Sequence, residues 1–452
     1  MLPSFKHLPK KPQYIHVTND FDIFQLFQNI EREYENCFIL ESLGEQNQHA
    51  RYAVIGFGPA HLISAKGNAI VVDDEVYRVK NPYQALRGMI PQDCIARQYA
   101  GGLVGYMSYE AVNYLEPTVS VKVHPRFPEF MFGLYTDGLV HDTMTNELFY
   151  FYYEKNRIKE INRFLGETTL AGEAKITPLG DTLTKEEHHR AVQTVKQYIV
   201  DGFSFQCEVG MKSEYAIQGE TLPIYERLRQ VNPSPYMYYV KFGEKKIIGA
   251  SPELLLSVSG RSIETHPLAG TIQRGTTPAE DTALARTLLR DPKEAAEHSM
   301  LVDMHRNDVG RVSQFGSVSI RSLMNVRRFP FVQHICSEIS GILRPGEDMF
   351  TALASLLPGG VVSGAPKIES IRIIDREEKE ARGPYGGALG YFGLNGDCTF
   401  AIPIRTLFVD GEYAYTQTSS GIVADSDPGK EYEELQYKLM GMRKTLEPFI
   451  QN

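Results

Sequence analysis

The chain reads as an α+β protein, on three observations. Its candidate strands come in runs joined by short turns, its candidate helices do not alternate with them as βαβ units require, and no internal repeat or low-complexity tract is present. At 452 residues it exceeds the usual reach of one small core, so two regions or one large composite fold are expected.

The first region is placed at 1–165. Residues 1–17 form an extended lead-in, and FDIFQLFQNIEREY (21–34) carries apolar residues at helical spacing, with Asn19 or Asp20 as its cap. CFILES (37–42) and ARYAVIGFGP (50–59) read as strands on either side of a polar loop. NAIVVDDEVYRV (68–79) reads as a hairpin about Asp73-Asp74, and FPEFMFGLYTDGLVHD with NELFYFYYE reads as paired strands through 154. Residues 166–184 lose apolar periodicity and read as a link.

The second region is placed at 185–450. It opens on an amphipathic helix, Thr184 to Val200, capped by Thr182 or Thr184. Strands are expected at Met237–Phe242, Lys246–Gly249 and Leu254–Val258. CTFAIPIRTLFV and EYAYTQTSSGIV (398–423) read as a hairpin turned at Asp410-Gly411, with an edge or bulge at Pro403.

Charged and apolar content (23% and 42%) are ordinary for a globular chain, and a net charge of −9 without a Lys/Arg run argues against a nucleic-acid partner. No stretch of about 18 apolar residues exists to span a membrane. Five scattered cysteines with no CxxC pair suggest reduced thiols and a cytoplasmic protein.

The most informative stretch is DPKEAAEHSMLVDMHRND (291–308). Asp291 caps a helix with Pro292 at its first position, and Glu294 and Glu297 then stand one turn apart. Adjacent carboxylates repel unless a cation intervenes. A second helix repeats the pattern with Asp427-Pro428, Glu431 and Glu434, followed by Lys438. Two such helices facing one another offer oxygen ligands to Mg²⁺ while leaving positions for an anionic substrate. The plainer reading is a capping box at Asp291 and a solvated Glu297.

Other stretches are ambiguous by themselves. LPGGVVSGAPK (357–367) is a glycine-rich turn into a helix whose free N–H groups suit an anion, although a tight helix entry needs the same residues. His334 lies among apolar residues, as either a core histidine or a catalyst. Glu253 opens an apolar strand, as either a turn cap or a general acid of raised pKa.

Taken together, GASPELLL, HPLAGT, AEHSMLVDMHRNDVGR, SGAPK, RGPYGGALGYF and AIPIRT resemble the large subunit of anthranilate synthase within the chorismate-utilising enzymes, from Phe38 to Lys444. The resemblance implies two packed antiparallel sheets flanked by helices, with the active site in a cleft. It implies that Glu297 and Glu434 hold Mg²⁺ with Glu294 and Glu431 in support. It assigns Gly270, Thr271, Tyr385, Arg405, Gly421 and Lys438 to the substrate. Glu253 would protonate the departing C4 hydroxyl as ammonia attacks C2, and His334 would assist loss of pyruvate.

Gln206 stands where water-adding relatives have Lys, and Ala269 stands within the motif where aminodeoxychorismate synthases, the alternative reading, commonly carry Lys. A further alternative, a non-catalytic tryptophan-binding regulator, would have lost an acid or His334. Glu41, Ser42 and Arg51, with Pro235, Tyr236 and Met237, resemble the pocket where tryptophan inhibits these enzymes. No cysteine lies in a glutaminase-like setting, so a separate glutamine amidotransferase subunit is implied as the ammonia source, in a hetero-oligomer.

The chain departs from the family pattern in three places. Cys207-Glu208-Val209-Gly210-Met211 replaces VVLSR, Ser419-Ser420-Gly421 replaces GAG, and Val361 lies in the turn before Ser363. The second either narrows a loop that should approach the substrate carboxylate or offers that carboxylate a Ser419 hydroxyl.

Overall fold

In the strand Asn36–Glu41, Phe38 joins one apolar cluster while Cys37 and Ile39 join another, and the same alternation runs through Tyr236–Phe242, where Tyr238 and Val240 oppose Met237 and Tyr239. Period-two side chains buried on both faces require a sheet sandwiched between two layers. The computed structural model describes all residues except 1, 19, 44–50, 97–98, 169–171, 330 and 452. It is an α+β fold of two 12-stranded antiparallel sheets with helices around them, as expected.

The first sheet runs in spatial order Gln13–Val17, Glu147–Tyr152, Asp137–Asp142, Tyr52–Phe57, Asn36–Glu41, Tyr236–Phe242, Lys245–Ser251, Thr406–Asp410, Tyr413–Ile422, Gln206–Gly219 and Ala174–Asp181, with Gly364–Ala365 also paired to Gln206–Gly219. The second runs Leu268–Gln273, Val332–Ile342, Ser262–Thr265, Leu254–Ser259, Cys398–Ala401, Ala388–Gly393, Gly102–Met107, Phe130–Tyr135, His61–Lys66, Ala69–Val72 and Glu75–Arg78, with Ser319–Arg328 also paired to Val332–Ile342. Strands from before residue 165 and after 185 stand in both sheets: Glu41 lies opposite Met237, and Met107 opposite Ala388. The larger apolar cluster draws on both sheets, and a second cluster lies between the first sheet and the helices Ile23–Glu33, Ile158–Leu165, Leu222–Val231 and Pro428–Leu446. Each fully buried Phe or Leu side chain contributes about 1.5–3 kcal/mol there.

The helix starts follow their side chains. Thr184 makes a reciprocal capping box with Glu187, and Asp291 and Asp427 cap the two long acidic helices, Pro292–Gly310 and Pro428–Leu446. The first helix is capped by Asp22, which accepts from the N–H of Phe24 and Gln25, rather than by Asp20, because the chain stays extended to Asp22; Asn19 lies outside the described residues.

Three sequence expectations change. The stretch around 166–184 contains an edge strand, Ala174–Asp181, paired to Gln206–Gly219; only Ala174 and Ile176 turn inward, too few to show a period. Asp137–Asp142 pairs with Glu147–Tyr152 as expected, but 127–142 is not one strand: Phe130–Tyr135 lies in the second sheet and one residue, Thr136, carries the chain to the first. Likewise 398–410 is not one strand. Cys398–Ala401 lies in the second sheet and Thr406–Asp410 in the first, with Ile402–Arg405 as the crossing. Pro403 there has no N–H to give a ladder, and Arg405 takes φ +53°.

Candidate active site

The 402–405 crossing and a further one at 252–253 carry polar groups. Pro252-Glu253 joins Lys245–Ser251 of the first sheet to Leu254–Ser259 of the second, and Arg405 closes the 402–405 crossing. A residue at a crossing is excused from ladder hydrogen bonding on one side, so its side chain is free to serve a site between the sheets.

His334 sits on Val332–Ile342 opposite Thr271, beside a register shift between Ala269 and Thr271. Gly270 at φ +63° makes that bulge and turns its carbonyl to the imidazole, and an added Cβ there would lie 3.0 Å from Glu294 Oε2. His334 Nδ1 donates to the Gly270 carbonyl at 3.0 Å, with Thr271 Oγ1 3.2 Å from the same nitrogen. On the far side, Arg405 Nη2 donates to His334 Nε2 at 2.8 Å. These partners select the Nδ1–H tautomer. Burial, reinforced by the Arg405 charge, drops the His334 pKa to about 3, so the ring is neutral.

The Arg405 guanidinium lies 5.7 Å from the Phe329 ring centre; burial lowers its pKa to about 10, and it remains cationic. Glu253 is 3% exposed and its Oε1 accepts from the Leu268 N–H at 3.0 Å. Burial raises its pKa to about 8, against that backbone donor and the Arg405 charge, and the carboxyl holds its proton at neutral pH.

The opposite wall is built by Gln206–Gly219, Tyr413–Ile422 and the helix Pro428–Leu446. Lys438 donates to the Ser419 carbonyl at 2.8 Å and pairs with Glu434 at 2.7 Å. Tyr385 Oη lies 3.0 Å from Ser419 Oγ, and that hydroxyl donates to Glu208 Oε2 at 2.6 Å. The Ser419 proton therefore goes to Glu208 and is not offered to a substrate carboxylate. Gly421 has no room for a Cβ, which would meet Gln206 Nε2 at 2.6 Å and Glu208 Oε1 at 2.8 Å. Gln206 is buried and its Oε1 finds no partner among the described residues. The Lys438 charge acts on both Glu253 and His334, which couples this wall electrostatically to those two groups. A surface hollow of about 980 Å³, lined by Tyr215, Tyr437 and Arg443 among others, uses another face of the same helix and contains none of these groups.

The four helix acids act on one another electrostatically. Burial raises the pKa of Glu297 to about 7, with Glu294, Glu434 and Glu431 adding to the rise, and Glu294 and Glu431 are raised too. Glu434 alone is held down, because Lys438 and Lys293 outweigh its burial. The Lys293 ammonium lies 3.6 Å from Glu297 and 3.9 Å from Glu431. Among the described residues no three His, Cys, Asp or Glu side chains already close on a metal position. Yet Glu297 Oε1 and Glu431 Oε2 are buried without a hydrogen-bond partner. An all-oxygen acidic set with two oxygens that accept no hydrogen bond fits a hard divalent cation that takes the place of the Lys293 ammonium.

Elsewhere, Glu41 is claimed by Tyr225 Oη at 2.8 Å and by Arg229 at 2.7 and 3.1 Å. Met237 lies opposite Glu41, Tyr236 begins the same strand after Pro235, and the buried Ser42 hydroxyl is unpartnered among the described residues. Arg51 pairs with Asp142 instead. The helix after Pro366 begins with Lys367, whose ammonium pairs with Asp308.

Sequence reasoning passed over Lys293 and Glu208. Glu208 had a signal, being a carboxylate among Cys207, Val209 and Met211 in a buried strand. Lys293 had one as well, four residues before Glu297.

The chain matches the family model described as chorismate binding enzyme over residues 35–444. It is 48% identical to anthranilate synthase component 1 of Leptospira biflexa over 99% of this chain and 98% of that one. It is 43% identical to the protein of the same name from Methanothermobacter thermautotrophicus, over 94% and 92%. The crystal structure of anthranilate synthase component I from Streptococcus pneumoniae superposes with a TM-score of 0.78 at 31% identity, covering 88% of this chain and 93% of that one.

Proposed function

Because this chain belongs to the chorismate binding enzyme family, we propose that it converts chorismate and ammonia to anthranilate, pyruvate and water, as the synthase component of tryptophan biosynthesis. The observation that carries the reading is the crossing of Glu253 and Arg405 beside His334. It sets a protonated acid, a fixed cation and a neutral imidazole around one space.

The substrate is a dianion. Arg405 on one wall and Lys438 on the other supply the charge to receive its two carboxylates, with the Gly270, Thr271 and Gly421 backbone allowing close approach. Glu253 hands its proton to the C4 hydroxyl, which leaves as water while ammonia bonds to C2. A carboxylate that takes Arg405 also releases His334 Nε2. The freed nitrogen then takes the C2 proton as the adjacent ring C–O bond breaks, the ring aromatises, and the departing enolpyruvate takes up a proton to become pyruvate. Gln206, being neutral, leaves water unactivated, which favours ammonia as nucleophile.

Glu297 and Glu434, supported by Glu294 and Glu431, would hold Mg²⁺, which supplies Lewis-acid charge toward a substrate carboxylate. We further read the ammonia source as a partner amidotransferase. All five cysteines are buried and their thiol pKa values are raised by burial, so none is a thiolate nucleophile. Reduced buried thiols suit a cytoplasmic setting, and no helix among the described residues is long and apolar enough to cross a membrane. Tryptophan is the expected inhibitor at the Glu41–Ser42 and Pro235–Met237 pocket.

The test is product fluorescence from chorismate, Mg²⁺ and ammonium with the isolated chain, followed by chelator. Anthranilate emission that chelator abolishes is expected. A para-substituted product would shift the reading to aminodeoxychorismate, and turnover of glutamine by this chain alone would remove the partner.

A further inference from the structure

Glu208 is a buried carboxylate that the reaction above does not use. Along Gln206–Gly219, Cys207 and Val209 turn into an apolar cluster with Val192 and Ile374, so period two places Glu208 on the face of Gln206, toward the site. It is 6% exposed, and burial raises its pKa. Lys438 and Arg382 are the cations that act on it, and the Glu434 charge opposes them. An apolar side chain on this strand would avoid the desolvation penalty of several kcal/mol that a buried carboxylate carries. Something must make the carboxylate useful.

Its neighbours fit it as a set. Glu208 lies opposite Gly421 and Gly210 opposite Ser419 in the ladder. A Cβ at 210 would meet the Thr418 carbonyl oxygen at 2.1 Å and the Ser419 Cβ at 3.0 Å, so only glycine lets the two strands lie this close beside the serine. The Ser419 proton goes to Glu208 Oε2, which makes Tyr385 the donor to Ser419 Oγ. Glu208 also acts electrostatically on Lys438, whose ammonium rests on the Ser419 carbonyl.

We propose that Glu208 is a positioning residue. Through the Ser419 hydroxyl it pins the phenol of Tyr385, and through its charge it steadies Lys438, so that two substrate-binding groups on different elements keep a fixed spacing before the anionic substrate arrives. This rests on the chorismate reading for its kinetic consequence, though not for its structural one.

Two measurements test it. In steady-state turnover of chorismate with ammonium and Mg²⁺, Glu208→Ala and Ser419→Ala are each expected to raise KM about tenfold, the scale of one hydrogen bond to a charged group, with kcat within about threefold. The double variant is expected to be no worse than Glu208→Ala, and Glu208→Gln, which keeps an oxygen acceptor for Ser419 but not the charge beside Lys438, to restore KM in part. Separately, 3-fluorotyrosine placed at position 385 reports by ¹⁹F NMR on the ligand-free protein. Its resonance is expected to move in Glu208→Ala and Ser419→Ala and to stay in Glu208→Gln. Effects on KM that multiply, or a Gln variant as impaired as the Ala variant, would overturn the proposal. A wild-type chain that does not turn over chorismate would sink the functional reading alone, leaving the fluorine resonance to decide the role of Glu208; an unmoved resonance in folded Glu208→Ala would reject it.

Discussion

The guanidinium of Arg405 is bonded to the imidazole of His334 at 2.8 Å, cation to neutral base, across the boundary between two sheets. Each group restrains the other: the arginine adds to burial in keeping the ring unprotonated and occupies the lone pair that a base would use. Removing the arginine should separate these effects. In Arg405→Ala the His334 pKa, about 3 in the intact protein, is expected to rise, and ¹⁵N NMR of the ring will follow it. A folded pKa below the ordinary 6.5 means stability is lost as pH falls below about 6.5, so the variant should show a shallower loss of Tm in acid. Activity should still fall about 10²–10⁴-fold in either Arg405→Ala or His334→Ala, the usual range for acid–base and charge-stabilising groups.

Glu253 sets the alkaline side. Its carboxyl must be protonated to act as an acid, and its pKa is about 8, so kcat should decline as pH rises through about 8. Because the folded pKa lies above 4.5, the native state binds more protons than the unfolded chain between those values, and stability falls across that window as pH rises. Glu253→Gln should abolish the pH limb together with turnover and should flatten the dependence of Tm on pH.

Lys293 competes for the acids a cation would take. In Lys293→Met, Mg²⁺ is expected to bind several-fold more tightly by calorimetry, since a tethered positive charge about 4 Å from the carboxylates is removed. The metal-free protein should lose Tm in the same variant, because Glu297 and Glu431 are left facing Glu294 and Glu434 uncompensated. Equal metal affinity in variant and parent would place Lys293 outside the site.

Gly421→Ala puts a methyl where Gln206 Nε2 and Glu208 Oε1 now lie, at 2.6 and 2.8 Å. Both are side-chain ends and can withdraw, so the protein should fold with a loss of about 1–3 kcal/mol while KM for chorismate rises. Denaturant melts and steady-state kinetics read the two separately.

Added tryptophan offers an internal probe, because the chain contains none. Its emission should change on binding, and Ser42→Val, which fills the place of an unpartnered hydroxyl, should weaken the change.

Local chemistry was legible in the chain, and long-range partnership was not. Asp291, Asp427 and Thr184 announce their helices because a cap is a contact over three residues. The two Glu-x-x-Glu turns and Glu253 were visible as charges in the wrong company. Period two, however, says only that a strand has two faces. It does not say which sheet receives it, so the transfers at Thr136 and at 402–405 were hidden, and a continuous apolar run looked like one strand. Ser419 was misread for the same reason: its proton's destination, Glu208, stands more than two hundred residues away.

Those transfers have a consequence for how the polypeptide tolerates being cut. A break in the 166–184 stretch would leave Asn36–Glu41 without Tyr236–Phe242 beside it and Gly102–Met107 without Ala388–Gly393, exposing raw edges in both halves. Neither fragment would be self-sufficient, and co-expressed halves should reassemble by restoring those seams.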